Sequence, residues 1–141
     1  MKNKINILFV CRYNRFRSRI AEAYFKKINK NKNIKAKSAG LFRGIPLSPE
    51  TVKKAKEFGI NIGGRVKGLS STLIRWQNVT VIVADDVPPQ VFDKNKKLGK
   101  KVIVWKIKDA NYKNKESVEK AIREIIKKVN NLNKELRRKL K

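Results

Sequence analysis

Residues 5–25 read INILFVCRYNRFRSRIAEAYF. Ile5, Ile7, Leu8, Phe9 and Val10 form a short apolar run bounded by polar residues. A run of that kind suits a strand covered on both faces, as in a parallel sheet. The single cysteine of the chain, Cys11, stands where this strand ends. Arg12, Tyr13, Asn14, Arg15, Phe16, Arg17 and Ser18 follow it. Ile20, Ala21, Tyr24, Phe25 and Ile28 then recur at helical spacing. Ser18 is the expected N-cap of that helix, and Glu22 lies close to the place of a capping partner.

A strand, a basic loop and a helix in this order make an anion site. The N-terminal end of a helix presents unpaired N–H groups and the positive end of its dipole. The thiolate, the reactive form of cysteine, is favoured at such an end and beside arginine. Five residues separate Cys11 from Arg17. That spacing lets the loop curl around a tetrahedral oxyanion, with the thiolate beneath it and the guanidinium gripping two oxygens. Nucleophilic attack on a phosphate monoester needs this arrangement. A lone cysteine is otherwise a small buried hydrophobe; the combination of strand, loop arginine, serine and helix favours the anion-binding reading.

Outward from this stretch, strands and helices alternate. Residues 34–38 suggest a second strand, followed by Ala39 and Gly40 as turn residues. Residues 41–49 form a loop rich in Gly and Pro. Ser48 as N-cap, Pro49 at the first position and Glu50 in the first turn open a helix. Val52, Ala55, Phe58 and Ile60 line that helix and Gly59 ends it. Residues 61–68 are basic and glycine-rich, with the Gly63–Gly64 pair read as a plain turn. Residues 69–76 suggest a short helix capped by Ser70 or Ser71. VTVIVA at 79–84 is a further strand, ending in Asp85 and Asp86. Pro88 and Pro89 start a short helical or loop segment that carries Val91 and Phe92. KVIVWKI at 101–107 is a fourth strand, and residues 109–112 are a loop. From about Lys115 a long helix runs to the C-terminus, with Val118, Ile122, Ile125, Ile126, Val129, Leu132 and Leu136 on one face. Its KELRRKLK end reads as a solvated tail.

This order implies an α/β fold, a three-layer sandwich whose central four-stranded parallel sheet is flanked by helices. Ligands of such sheets bind beyond the carboxyl ends of the strands. Cys11, Asp85 and Asp109 each follow a strand, so the three are expected on one edge.

The chain has 141 residues, enough for one domain, 1–141, with an adequate core. No long apolar run and no signal-peptide pattern is present, so the expectation is a soluble cytoplasmic protein without a membrane partner. One Cys and no His make a zinc site improbable and exclude a Cys–His or Ser–His hydrolase. No cofactor is expected. Thirty-seven Lys and Arg against 11 Asp and Glu give a net charge of +26. These cations are spread along the chain, which favours a solvated basic surface with weak polyanion binding over a dedicated nucleic-acid arm.

ILFVCRYNRFRS resembles the phosphate-binding loop of the low-molecular-weight protein tyrosine phosphatase family, V-C-x-G-N-x-C-R-S-P. Ser38-Ala39-Gly40, PLSPETVKKAKEFGINI, VTVIVADD, WKIKDA and the last helix resemble successive family segments in order. The resemblance implies a hydrolase acting on phosphorylated protein or a small aryl phosphate. Cys11 would be the nucleophile that forms a phosphocysteine. Arg17 and the backbone N–H groups of Arg12, Tyr13, Asn14, Arg15, Phe16 and Ser18 would hold the phosphoryl oxygens. Asn14 would brace the loop, Ser18 would donate to the thiolate, and Asp109 would be the general acid and base. Asp85 and Asp86 are the fallback acids, although either could cap the next helix. Tyr112 or Trp76 is the candidate aromatic wall for a phosphotyrosine ring.

Four positions depart from the pattern. Tyr13 replaces Gly, which raises strain if the loop needs positive φ there. Phe16 replaces the second Cys and removes a disulfide partner of the nucleophile. Arg19 replaces Pro and adds charge near the pocket, and Ala110 follows Asp109 in place of Pro. Two other functions remain on the same fold. One is an arsenate reductase using an external thiol, since the family relay needs further cysteines. The other is a non-catalytic phosphate or nucleic-acid binder.

Overall fold

The computed structural model describes residues 4–63 and 65–139. Gly64 of the expected glycine turn and the last two residues of the basic tail lie outside the described residues. Four strands, β1 (Ile5–Cys11), β2 (Ile34–Gly40), β3 (Val79–Val83) and β4 (Lys101–Trp105), form one sheet in the order β2-β1-β3-β4. All three pairings are parallel. The helices are α1 (Arg17–Ile28), α2 (Pro49–Glu57), α3 (Ser71–Trp76), α4 (Asp93–Lys97) and α5 (Lys115–Lys139), with a 3₁₀ turn at Pro89–Phe92 before α4.

Alternation along β1 assigns the two faces. Ile7 and Phe9 join the larger core, with Ile20 and Phe25 of α1 and Val118, Ile122, Ile125 and Val129 of α5. Leu8 and Val10 face a smaller core with Ile82, Ala84 and Phe92, closed by Leu73 and Trp76 of α3. Both faces of β1 are covered, which is why residues 7–10 read as an unbroken apolar run. The expected period of α5 holds: Val118, Ile122, Ile125, Val129, Leu132 and Leu136 are buried, and Ile126 is partly buried against them. Among the described residues, no helix is long and apolar enough to cross a membrane.

Ser48 does cap α2, accepting from Thr51 N, and Ser70 caps α3. Three strand ends shift, β3 by one residue to Val83. β2 continues to Gly40 because the ladder runs on to the Cys11–Gly40 pair. β4 stops at Trp105, where Ile107 N turns back to the Trp105 carbonyl.

β1 is flanked by β2 on one side and β3 on the other, so the chain reverses its winding direction there. The crevice that such a reversal opens lies at the carboxyl end of β1. Cys11 and the loop after it occupy that place.

Candidate active site

The loop between Cys11 and Arg17 is fixed from outside. Its carbonyls at Cys11, Arg12 and Tyr13 accept from Leu41 N at 2.9 Å, Phe42 N at 2.9 Å and Gly44 N at 3.0 Å. With the carbonyls turned to residues 41–44, the N–H groups of residues 12–16 donate to no backbone carbonyl among the described residues. They are available to an anion. Two glycines permit this contact. A Cβ at Gly40 would lie 2.5 Å from Asn14 N, and one at Gly44 would lie 2.7 Å from Tyr13 Cβ and 2.9 Å from Arg15 Cγ.

The left-handed residue of the loop is Asn14, at φ 56°. Tyr13 has no positive φ, so the strain expected there does not arise. Asparagine tolerates this region better than most residues, and its side chain is held firmly. Asn14 Oδ1 accepts from Lys67 N at 2.8 Å. Asn14 Nδ2 donates to Ser18 Oγ at 2.8 Å and to Ser38 Oγ at 3.0 Å. Ser38 Oγ in turn donates to Glu22 Oε1.

Ser18 is not the N-cap of α1. That position is Phe16, which makes no capping bond, and Ser18 lies within the helix. Its Oγ sits 3.0 Å from Cys11 Sγ. Because Ser18 Oγ already accepts from Asn14, its own hydrogen is free to point at the sulfur. Glu22 likewise makes no capping pair; it receives Ser38 and Lys26. The first turn of α1 carries no acidic residue, which leaves its positive end unneutralised. Cys11 and Ser18 are both buried.

Arg17 is 2% exposed, and it collects the acids of the sheet edge. Its Nη2 donates to Asp86 Oδ1 at 2.9 Å and its Nη1 to the Ile107 carbonyl at 2.9 Å. Asp85 lies 3.6 Å from Nη1 and Asp109 lies 3.6 Å from Nε. A buried guanidinium without such partners would carry a large desolvation penalty. Asp85 and Asp86 therefore have work at Arg17, whereas Asp109 also reaches outward. Its Oδ1 accepts from Tyr112 Oη at 2.8 Å and from Ala110 N at 3.0 Å.

Aromatic and cationic side chains form the rim. The Tyr13 ring lies 6.2 Å from Phe42, and the Arg12 guanidinium stands 5.5 Å above it. Arg15 lies 5.3 Å from the Tyr112 ring and donates from Nε to the Ile45 carbonyl. Phe16 is buried and meets Tyr112 edge-on at 5.6 Å. Burial, then the charge of Asp109 and its hydrogen bond, hold the Tyr112 phenol protonated well above its ordinary range. Trp76 is not a wall of this site. Its carbonyl binds Asn6 near the start of β1, and Lys37 covers its ring. Arg19 donates to the carbonyls of Ile62 at 2.5 Å and Gly63 at 2.6 Å. Burial lowers its pKa, opposed by the charges of Glu22 and Cys11.

A family model described as low molecular weight phosphotyrosine protein phosphatase matches residues 6–141. The chain belongs to that family. Its members are hydrolases that bear a phosphate-binding loop. No curated protein matches the chain. Solved structures with the same fold include the YwlE arginine phosphatase from Geobacillus stearothermophilus, at 24% identity and a TM-score of 0.81, covering 96% of this chain and 94% of that one. The low molecular weight protein tyrosine phosphatase from T. tengcongensis is 25% identical with a TM-score of 0.73, covering 94% and 99%. An arsenate reductase from Archaeoglobus fulgidus is 23% identical with a TM-score of 0.70, covering 90% and 98%.

In this member of the phosphatase family, Cys11, Asn14, Arg17, Ser18 and Asp109 converge at the end of β1. A thiol, a neighbouring hydroxyl, free N–H groups, a buried guanidinium and a carboxylate can together bind a phosphoryl group and move a proton. Several supports escape a reading of the sequence. Lys67 acts through its backbone, which carries no side-chain signal. Ser38 lies 24 residues from Asn14 and meets it through the β1–β2 pairing, and Glu22 of α1 joins them only through Ser38. Gly40 reads as a turn residue in the sequence; it is instead the last residue of β2, and its lack of a side chain admits the loop backbone.

Proposed function

We propose that this chain is a phosphomonoesterase that needs no metal and works through a phosphocysteine on Cys11. The observation that carries this reading is the 3.0 Å approach of Ser18 Oγ to Cys11 Sγ, beside a loop with unengaged N–H groups. In the first step the Cys11 thiolate attacks phosphorus and the bond to the leaving oxygen breaks. Asp109 gives its proton to that oxygen. In the second step Asp109 takes a proton from water, the water oxygen attacks phosphorus, and the P–S bond breaks to return the thiolate and free phosphate. Arg17 and the loop N–H groups meet the charge on the phosphoryl oxygens in both steps.

The substrate class we infer is phosphotyrosine in protein, or a small aryl phosphate. Tyr13, Phe42 and Tyr112 offer ring faces at the mouth. Arg12 and Arg15 stand at the same mouth and repel the positive charge of a phosphoarginine side chain. Matched phosphotyrosine and phosphoarginine peptides, incubated with the protein and a chelator, test this. Phosphate release from the phosphotyrosine peptide at least tenfold faster, absent in Cys11→Ser, is the expected result. Preference for phosphoarginine would overturn the substrate class. Full activity of Cys11→Ser would overturn the mechanism.

A further inference from the structure

We infer that Tyr112 is a positioning residue that saturates Asp109 Oδ1 and leaves Oδ2 as the oxygen that carries the catalytic proton. The inference rests on the reading of Asp109 as general acid and goes beyond it. Asp109 Oδ1 accepts from Tyr112 Oη at 2.8 Å and from Ala110 N at 3.0 Å, with Arg17 Nε at 3.6 Å. Two donors on one oxygen, with the Arg17 charge beside it, make it the poorer base, so a proton settles on the other.

The phenol is itself held in place. Phe16 meets the Tyr112 ring at right angles at 5.6 Å, and the Arg15 guanidinium lies 5.3 Å from the centre of that ring. Phe16, 1% exposed, thus has a structural reason to occupy its place: it supports the ring that orients the acid. Burial keeps the phenol neutral across the working pH range, so it stays a donor. The charged groups facing this pair are Arg15 and Arg17 from the loop and α1, with Asp85 and Asp86 on the other side of Arg17. Glu116, Lys120 and Glu124 of α5 share the hollow outside Asp109.

A merely supporting ring would be served equally by phenylalanine. Tyr112→Phe keeps the contacts with Phe16 and Arg15 and removes only the donor. The test compares 4-nitrophenyl phosphate, whose leaving group needs little protonation, with phenyl phosphate, whose leaving group needs much. Wild type, Tyr112→Phe, Asp109→Asn and the double variant are measured across acid to neutral pH. For Tyr112→Phe the expected result is about a tenfold loss of kcat/KM on phenyl phosphate, which reads the first step alone, part of the roughly 10²–10⁴ that a placed general acid supplies. The kcat/KM of the nitrophenyl ester should change little. In the double variant the Tyr112 change should add no further loss, because the two groups act as one unit.

Equal kcat/KM for Tyr112→Phe and wild type on both esters, with kcat/KM on phenyl phosphate lost in Asp109→Asn, would overturn the role of Tyr112 and leave the acid intact. Unchanged turnover in Asp109→Asn would overturn the acid assignment, and the positioning role with it. Fully additive losses in the double variant would also overturn the inference.

Discussion

Ser18 is the clearest case of one residue serving a purpose that its position conceals. A serine near the start of a helix reads as a cap, because its oxygen suits an unpaired N–H. Here that oxygen accepts from Asn14 and faces the sulfur instead. Ser18→Ala should lower kcat about ten- to a hundredfold with little change in KM, since hydrogen bonds to charged groups contribute about 1.5–3 kcal/mol. Unchanged kcat would show that the contact does not stabilise the thiolate. Asn14→Ala should cost more, because it frees Ser18, Ser38 and Lys67 N at once. The nucleophile, arginine and acid could be picked out of the sequence, because each has a chemical type and a place after a strand. The pairing of Asp85 and Asp86 with Arg17 could not, because it joins residues about 70 positions apart through side chains alone.

Among elements, the β1–β2 pair and the segment after it decide whether the loop can take its shape. Gly40→Ala would drive a Cβ into the backbone of residues 13 and 14. The protein should still fold, destabilised by about 1–3 kcal/mol as in other overpacked sites, and should lose phosphate affinity. Thermal melting and phosphate competition report the two effects separately; wild-type affinity would contradict the role given to Gly40. Tyr112 supplies a second prediction, at the junction of the last loop with α5. Its phenol is held protonated above the ordinary value near 10. The fold favours the neutral form, so this contribution is whole below about pH 10 and is lost as pH rises through the folded value. Melting temperatures followed from about pH 8 to pH 11 should fall further for wild type than for Tyr112→Phe. Parallel curves would contradict it. Strands and helices were largely legible because each carries its own period. β4 ended early because a turn at Ile107, invisible in an apolar run, carries that carbonyl to Arg17.

For the whole molecule, the charge of +26 sets the field around the crevice. The three aspartates nearest the loop all lie within 4 Å of Arg17 side-chain nitrogens, at 3.6, 2.9 and 3.6 Å. Arg12 and Arg15 stand at its rim. An anionic substrate should therefore be drawn in, and kcat/KM should fall as salt shortens the screening length from about 30 Å at 0.01 M to about 10 Å at 0.1 M. A flat salt response would contradict electrostatic steering. The same dispersed charge should give polyanion binding that is weak, without sequence preference and released by salt.

The phosphocysteine itself is the most direct test. Asp109→Asn mixed with 4-nitrophenyl phosphate, quenched in acid within milliseconds and digested, should yield the peptide containing Cys11 with one added phosphoryl group on sulfur. This species should accumulate because the variant lacks the base for its hydrolysis. Turnover with no phosphorylated Cys11, or with the phosphoryl group on another residue, would contradict the account.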